Sequence, residues 1–387
     1  MYSPLTWRSV LDSLASGDPR PEISSSLGQL YGMPHVVLTN SGTAALSIAL
    51  RAAVEQRPGG LCLLPAYGCY DLASAALSAG VRVALYDVEP TTLAPLVESI
   101  APLITEECAA VVVVDHYGLP TSLDELQPLA TAFGVPVIED AAQAAGAFWD
   151  GVRVGRRADA VVLSFGRGKG VTAGAGGALL LRQGSVLQRA SLAPLEGRRD
   201  SSVGFSVKLA AQFLLARPGL YGIPARIPFL RLGETMFRPP ESPAAMSAQA
   251  ARVLTRTLPG MDLEAGLRRE NADRLRLVQD EVDPQTKISV DPRAQSGWLR
   301  LPHLTHPGRH VSRAEAAELG VAPGYPQTLA TLAELVPILE TAGPFPGAVS
   351  LSQRLWTLPT HSALSSRAMM RLEKWVAAGK GRGAVAV

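Results

Sequence analysis

The sequence predicts an α/β fold whose central sheet is mostly parallel, and two features of its first half support this. Short runs rich in Val, Leu and Ile alternate with helix-forming runs rich in Ala and Leu. Two strand candidates, 110–114 (AVVVV) and 135–138 (VPVI), are apolar along nearly their whole length. Strands of this kind are covered on both faces, as in parallel sheets with crossover helices on either side.

Seven strands and three helices are predicted in order along this half of the chain. The strands are 35–38, 61–64, 81–85, 110–114, 135–138, 160–164 and 178–181, and the helices are 41–53, 70–78 and 123–132. After residue 182 the alternation stops: 183–240 is an apolar and basic insertion, 245–279 has a helical pattern, and a terminal helix is predicted at 365–378. We therefore expect a large α/β domain over 1–240 and a smaller C-terminal α+β domain over 241–387.

The composition of the chain argues against several classes of protein. With 47% hydrophobic and 18% charged residues among 387, the chain has enough apolar material for a core. Its 36 basic and 34 acidic side chains leave a formal charge of +2, which argues against a dedicated nucleic-acid binder. Three cysteines are too few for a disulfide framework, and no stretch is apolar enough to span a bilayer. The first residues lack a secretory signal, so we expect a cytoplasmic protein.

The end of the first predicted strand suggests a phosphate site. Ser41, Gly42 and Thr43 follow it and open a helix. Main-chain N–H groups and the positive end of the helix dipole can hold a phosphate at such a position. Serine and threonine also cap many helices that bind nothing, so this signal alone is weak.

Two later strand ends add a carboxylate and an amine. Asp140 follows the fifth strand, and Ser164 and Lys169 follow the sixth, on a glycine-rich loop. A nucleotide P-loop is excluded, because the positions that would need a glycine and a hydroxyl hold Leu163 and Gly170. In a parallel sheet these strand ends meet at one edge. A phosphate cup, a lysine and a carboxylate at one edge are what pyridoxal phosphate requires.

Three segments carry a resemblance to a known family. SGTAAL (41–46), VPVIEDAAQAAGA (135–147) and SFGRGK (164–169) resemble the DegT/DnrJ/EryC1/StrS sugar aminotransferases, which are pyridoxal phosphate enzymes of fold type I. Weaker similarity continues at 246–251, 268–276 and 355–365, so most of the chain is covered. The resemblance implies a fold type I transferase with a mostly parallel seven-stranded sheet, helices on both faces and a smaller C-terminal domain.

The resemblance also implies roles for individual residues. Lys169 would form the Schiff base with the cofactor and shuttle a proton, and Asp140 would pair with the pyridinium nitrogen. Gln143 would lie beside the hydroxyl of the ring. The residues expected to hold the cofactor phosphate are Ser41, Gly42, Thr43 and Ser164. We expect no metal site, and the histidines of 303–310 are expected to be polar loop residues.

Two departures from the family lie near the expected cofactor. Where the family has P-x-Y-T-[FW], with an aromatic ring stacked on the cofactor, this chain has Pro65, Tyr67, Cys69 and Tyr70 at 65–70. Either the Cys69 thiol or Tyr70 covers the ring, and Tyr67 is expected to bind the cofactor as well. The Asn and Arg that reach the neighbouring subunit's phosphate are replaced by 242–245 (SPAA).

Two further residues are candidates for substrate contact. His116 follows a central strand and should face the crevice, and Tyr325 lies at a place that resembles a substrate loop of the family.

The implied activity is a ping-pong aminotransferase that moves an amino group from glutamate or glutamine to a keto sugar, with a nucleotide-linked sugar expected. Lys169 disfavours the dehydratase branch, whose members replace it with histidine. The alternatives are an enzyme of the same fold acting on another carbonyl compound or amino acid, and a non-catalytic descendant. The resemblance implies a homodimer with the active site at the interface. Residues 203–232 would form a dimer or core helix pair, or alternatively a weak membrane-surface contact.

Overall fold

The structure is a computed structural model that describes most of the chain. The described residues are 2, 4–189, 195–197, 202–215, 236–307, 309, 311–341 and 343–378. The last part of the proposed membrane-contact region, 216–232, lies outside them, as does the tail after residue 378. Within the described ranges no helix combines the length and apolarity needed to cross a membrane.

A seven-stranded sheet forms the centre of the molecule, as the sequence predicts. Its strands are β1 (His35–Thr39), β2 (Leu61–Pro65), β3 (Arg82–Tyr86), β4 (Cys108–Val114), β5 (Val137–Asp140), β8 (Ala160–Ser164) and β9 (Gly177–Leu181), in the order β1-β9-β8-β5-β4-β2-β3. The strands β6 (Phe148–Trp149) and β7 (Val152–Arg153) come between β5 and β8 in the chain and lie outside this sheet. Strand β9 runs antiparallel to both of its neighbours, and the other pairings are parallel.

Both faces of this sheet are covered. Successive residues of β8 alternate between two separate core clusters: Ala160 and Val162 belong to one, and Val161 and Leu163 to the other. All seven residues of β4 are buried. Burying a Val or Leu side chain contributes about 1.5–3 kcal/mol. The apolar runs therefore both specify and stabilise the covered strands.

Twelve helices are described. They are Trp7–Asp12, Arg20–Tyr31, Gly42–Gln56, Asp71–Ala79, Val97–Ile100, Leu126–Ala132, Ser202–Leu215, Ala248–Thr257, Met261–Val282, Arg313–Leu319, Pro346–Arg354 and Ser366–Ala377. The predicted helix at 123–132 starts later, because the Ser122 hydroxyl accepts from the Asp124 N–H in a local turn. The helical pattern at 245–279 is divided between two helices at Pro259, which lies in a 3₁₀ turn and lacks an N–H.

Two small antiparallel sheets complete the fold. One joins β6 and β7 to β10 (Ala294–Gln295). The other consists of β11 (Arg300–Leu304), β13 (Leu355–Pro359) and β12 (Ala322–Pro323), and lies within the last hundred residues. His303 is buried in β11, so the prediction that it is a polar loop residue is wrong. Of the atypical insertion at 183–240, the described part contains the helix Ser202–Leu215.

Candidate active site

The two predicted phosphate-binding segments meet. A Cβ atom added to Gly42 would lie 2.8 Å from the Ser164 Cβ, so the helix start after β1 contacts the end of β8. The Ser41 hydroxyl caps this helix by accepting from the Ala44 N–H at 3.1 Å. Thr39 donates its hydroxyl to the Ser41 carbonyl at 2.8 Å. The first-turn N–H groups, those of Gly42 and Thr43 among them, have no carbonyl partner within the helix.

The Lys169 loop is held by main-chain hydrogen bonds. The Phe165 N–H donates to the Gly176 carbonyl at 2.9 Å, and the Ala173 N–H donates to the Phe165 carbonyl at 2.8 Å. Gly170 is required by a close approach, because a Cβ there would lie 2.6 Å from Nη1 of the buried Arg268. The lysine therefore lies on a loop fixed on both sides.

Lys169, Asp140 and Cys69 lie within electrostatic reach of one another. Burial raises the pKa of the Asp140 carboxyl, and the nearby Lys169 ammonium opposes that rise. Burial likewise raises the pKa of the Cys69 thiol to about 12, with Asp71 adding to the rise and Lys169 opposing it. The structure thus brings the predicted amine and the predicted acid together, with a neutral thiol beside them.

Cys69 and Tyr70 occupy different surroundings. The Tyr70 side chain is buried, and a main-chain hydrogen bond from Gln327 lowers the pKa of its hydroxyl against the dominant effect of burial, which raises it. Tyr70 precedes the helix Asp71–Ala79 as its N-cap residue. Of the two neighbours, Cys69 is the one that interacts with Lys169 and Asp140.

Gln143 connects two loops from distant parts of the chain. Its Nε2 donates to the Tyr325 hydroxyl at 2.7 Å, and its Oε1 accepts from the Tyr117 N–H at 2.9 Å. Tyr67 has no exposed surface, and its hydroxyl accepts from the Tyr325 N–H and bonds the Tyr117 hydroxyl, each at 3.1 Å. The Tyr67 hydroxyl therefore holds Tyr117 and Tyr325 in place.

His116 lies among these aromatic rings. Its ring centroid is 5.7 Å from that of Tyr67 and 6.4 Å from that of Tyr325. The side chain is 2% exposed, and burial lowers its pKa to about 4, so the imidazole is neutral at ordinary pH. Its Nδ1 is buried without a hydrogen-bond partner among the described residues. Such an atom is costly to leave unpaired, which favours a ligand contact.

Several residues near the site were not predicted from the sequence. Arg238 lines an open cleft together with Ser41 and Thr43, and its carbonyl accepts from the Ser74 hydroxyl at 2.6 Å. This places a cation beside the helix start although 242–245 lacks one. Asp115 and Glu139, the residues immediately before His116 and Asp140, form a buried pair. Within the described ranges, no group of three or more His, Cys, Asp or Glu side chains is placed to hold a metal ion.

Curated relatives with this sequence pattern are aminotransferases. The L-glutamine:2-deoxy-scyllo-inosose aminotransferase of Streptomyces lividus is 33% identical over 309 residues, covering 78% of this chain and 68% of that protein. The enzyme of the same name from Streptomyces fradiae is 32% identical over 301 residues, covering 75% of this chain and 65% of that protein. The chain thus spans about two thirds of the length of these relatives.

Solved structures share the fold over almost the whole chain. A 3-amino-5-hydroxybenzoic acid synthase aligns with a TM-score of 0.76 at 21% identity, covering 99% of each chain. An aminotransferase from Brucella abortus aligns with a TM-score of 0.74 at 22% identity, covering 97% of this chain and 95% of that one. These alignments confirm the predicted fold type I architecture.

The family assignment agrees with the geometry and with the relatives. Residues 6–376 match the DegT/DnrJ/EryC1/StrS aminotransferase family, which is nearly the whole chain. The chain therefore belongs to the DegT/DnrJ/EryC1/StrS aminotransferases, a family of pyridoxal phosphate-dependent enzymes.

Proposed function

We propose that this chain transfers an amino group from glutamine or glutamate to the ketone of a sugar or of a similar polyhydroxylated ring. The observation that carries the proposal is the electrostatic effect of Lys169 on the buried Asp140 carboxyl at the sheet edge where the helix after β1 begins. The curated relatives named above use L-glutamine and an inosose, which supports this donor and a cyclic ketone acceptor. Another relative, from Acidithiobacillus ferrooxidans, is named for a UDP-linked sugar, so a nucleotide-linked acceptor is included in the proposal.

The residues present fit pyridoxal phosphate. Gly42 packs so closely on Ser164 that a Cβ would clash with it, and this brings the Ser164 hydroxyl to the helix start where a phosphate would bind. Burial raises the pKa of the Asp140 carboxyl. A protonated pyridine nitrogen beside it would favour the ionised carboxylate and offset this effect. The unpartnered Nδ1 of His116 offers a hydrogen bond to a ligand.

Residues at several strand ends would hold different parts of the cofactor. The first-turn N–H groups of Gly42 and Thr43, with the hydroxyls of Ser41 and Ser164, would bind the phosphate. When bound, pyridoxal phosphate carries the amino group between the two half-reactions and withdraws electrons from the carbon that loses its proton. Asp140 holds a proton on the pyridine nitrogen.

Lys169 and the aromatic loops act on the substrate side. The Lys169 amine would take the proton from the carbon of the donor and deliver it to the cofactor, and it would move a proton in the opposite direction when the acceptor reacts. Cys69 would lie toward the cofactor ring, and Gln143 would lie beside the ring hydroxyl. His116 and Tyr325 contact the substrate, and the order of reaction is ping-pong, with the donor leaving as a keto acid before the acceptor binds.

The proposed assembly is a homodimer with the active site at the subunit interface, as the family resemblance implies. Sedimentation equilibrium of the holoenzyme measures the stoichiometry directly. A dimer of two intact chains is expected, and a monomer with full activity would contradict the interface.

The function is tested with purified protein reconstituted with pyridoxal phosphate. The expected result is a yellow protein that converts more than one equivalent of glutamine or glutamate to the keto acid only when a ketone acceptor is present. A panel of 2-deoxy-scyllo-inosose and nucleotide-linked keto sugars, followed by mass spectrometry of the amine product, identifies the acceptor. Absence of colour after reconstitution would contradict the proposal. Turnover with non-sugar carbonyl compounds alone would favour the other enzyme class.

A Gly42→Ala variant is expected to weaken cofactor binding. The added Cβ would meet the Ser164 Cβ at 2.8 Å, and overpacking of this kind costs about 1–3 kcal/mol. The dissociation constant for pyridoxal phosphate, from an absorbance titration, should rise by about tenfold or more. Gly260→Ala is the matched control, since a Cβ there meets nothing within 4 Å. Equal affinities of the two variants would contradict the placement of the phosphate.

Comparison of Cys69→Ala with Tyr70→Leu tests which residue covers the ring. A sulfur in contact with an aromatic ring contributes about 0.3–1.5 kcal/mol, so Cys69→Ala should weaken cofactor affinity about two- to tenfold. Tyr70→Leu removes the aromatic ring but keeps an apolar side chain, and it should leave the affinity unchanged, because Cys69 is the neighbour that interacts with Lys169 and Asp140. The same titration measures both variants. The opposite ranking would assign the ring contact to Tyr70.

A further inference from the structure

Two acidic side chains are buried against each other behind the active-site loops. Asp115 is 0% exposed and Glu139 is 1% exposed. Asp115 follows β4 and Glu139 lies in β5, and these strands pair in parallel with Val113 opposite Glu139. The two carboxyl groups affect each other's pKa.

The hydrogen bonds that hold the pair come from main-chain donors. Asp115 Oδ1 accepts from the Thr121 N–H at 2.9 Å, and Glu139 Oε2 accepts from the Gly155 N–H at 2.8 Å. Asp115 Oδ2 receives no N–H or hydroxyl donor from the described residues. Two ionised carboxylates buried on neighbouring strands repel each other, so a proton on one of them removes the repulsion and supplies a hydrogen-bond donor for the other.

The charges around the pair come from three elements. Arg157 acts on Glu139 and is itself bonded to Asp124 and to the Thr121 carbonyl. Asp140 acts on Asp115 from the next position of β5, and the Tyr31 phenol faces both carboxyls from its own helix. Burial raises the pKa of both Asp115 and Glu139, and the negative charge of Glu139 raises that of Asp115 further. The Arg157 guanidinium, which acts on Glu139, is thus also bonded to two other oxygen acceptors.

We propose that Asp115 and Glu139 share one proton at working pH, and that this bond positions the segment carrying His116 and Tyr117 in the active site. Asp115 ties the start of that segment to β5 by its N–H, which donates to the Asp140 carbonyl at 3.1 Å, and it ties the end by its bond to Thr121. The adjacent Tyr117 N–H reaches Gln143. When the shared proton is lost, two buried negative charges repel each other, and the segment that carries His116 and Tyr117 is held less firmly. Asp115 and Glu139 are positioning residues, and their effect on catalysis rests on the function proposed above.

The raised pKa values of Asp115 and Glu139 make the stability of the folded protein depend on pH. Above the ordinary carboxyl pKa of about 4, the unfolded chain has released both protons while the folded pair retains at least one. Unfolding therefore releases a proton, and stability falls as the pH rises until the folded pair is itself deprotonated.

The test uses Asp115→Asn and Glu139→Gln, each of which replaces the shared proton with a permanent amide donor. The first measurement is the melting temperature of the cofactor-free protein from about pH 5 to alkaline pH, a range that includes the Glu139 pKa of about 7. Wild type should lose melting temperature as the pH rises, and both amide variants should show a shallower slope. Glu125→Gln, which removes an exposed carboxyl from the same part of the chain, should keep the wild-type slope.

The second measurement is the pH profile of kcat/KM for the ketone acceptor in the holoenzyme. The alkaline fall should move to higher pH in both amide variants and remain in place in Glu125→Gln. Wild-type slopes of melting temperature in both amide variants would overturn the shared proton, even if one of them folds poorly. Shallower slopes with unchanged alkaline limbs would overturn the positioning role. If the protein does not transaminate, the melting temperatures still show whether Asp115 and Glu139 share a proton. Failure of the proposed function and failure of the shared proton can therefore be told apart.

Discussion

Replacing Lys169 with alanine should abolish transamination, with a loss of more than about 10⁴-fold in turnover. The amine is the group proposed to move the proton at the substrate carbon, and it lies on a loop whose main-chain bonds leave the rest of the site in place. Borohydride treatment of wild-type holoenzyme should fix the cofactor on the peptide that contains Lys169. Peptide mass spectrometry should find no such adduct in the variant.

Lys374→Ala supplies the matched control, because Lys374 is an exposed lysine near the end of the helix Ser366–Ala377. It should retain wild-type turnover and adduct formation. Full turnover in Lys169→Ala, or an adduct on a different lysine, would remove the central assignment of the proposed mechanism.

Replacing Asp140 with asparagine should lower kcat by about 10²- to 10⁴-fold. Removing the anionic partner of a buried cation costs about 3–5 kcal/mol, and each 1.36 kcal/mol is tenfold in rate. The asparagine keeps the shape of the side chain and an oxygen to accept the Ala142 N–H, which Asp140 Oδ1 accepts at 3.0 Å. Steady-state kinetics with glutamine and the identified acceptor measure the loss.

The absorption spectrum separates this electrostatic effect from misfolding. Asp140→Asn should still bind the cofactor, with a shifted visible band, because the phosphate contacts come from other strand ends. Asp273→Asn, a substitution of an exposed acid on the helix Met261–Val282, should change neither the spectrum nor kcat. A normal rate in Asp140→Asn would show that the pyridine nitrogen needs no anionic partner here.

The strands and the three chemical strand ends were predictable because each depends on local sequence. An apolar run specifies a covered strand, and the first polar residue after it lies at the sheet edge. Asp140 and Lys169 could be paired from the sequence alone, since parallel strands bring their carboxyl ends together. The starts of helices were less certain: the turn at Ser122 delays the helix that begins at Leu126.

Contacts between distant parts of the chain could not be predicted in the same way. Gln143 meets Tyr325 across 182 positions, and this depends on how the last third of the chain packs. The contact of Asp115 with Glu139 depends on the register of β4 against β5, which neither strand encodes alone. The different surroundings of Cys69 and Tyr70 depend on where the next helix begins.

Strand β9 separates β1 from β8, and this has a consequence for how the enzyme can diversify. Its first residue, Gly177, has no room for a side chain, because a Cβ there would lie 2.5 Å from the Gly42 nitrogen. A deletion or insertion in 173–177 would slip the strand by one position and turn its side chains to the wrong face. Loop grafting and length variation are therefore ruled out in this stretch. New acceptor preferences are better sought around residue 116, because substitutions at 325 would also remove the hydroxyl that holds the Gln143 side chain.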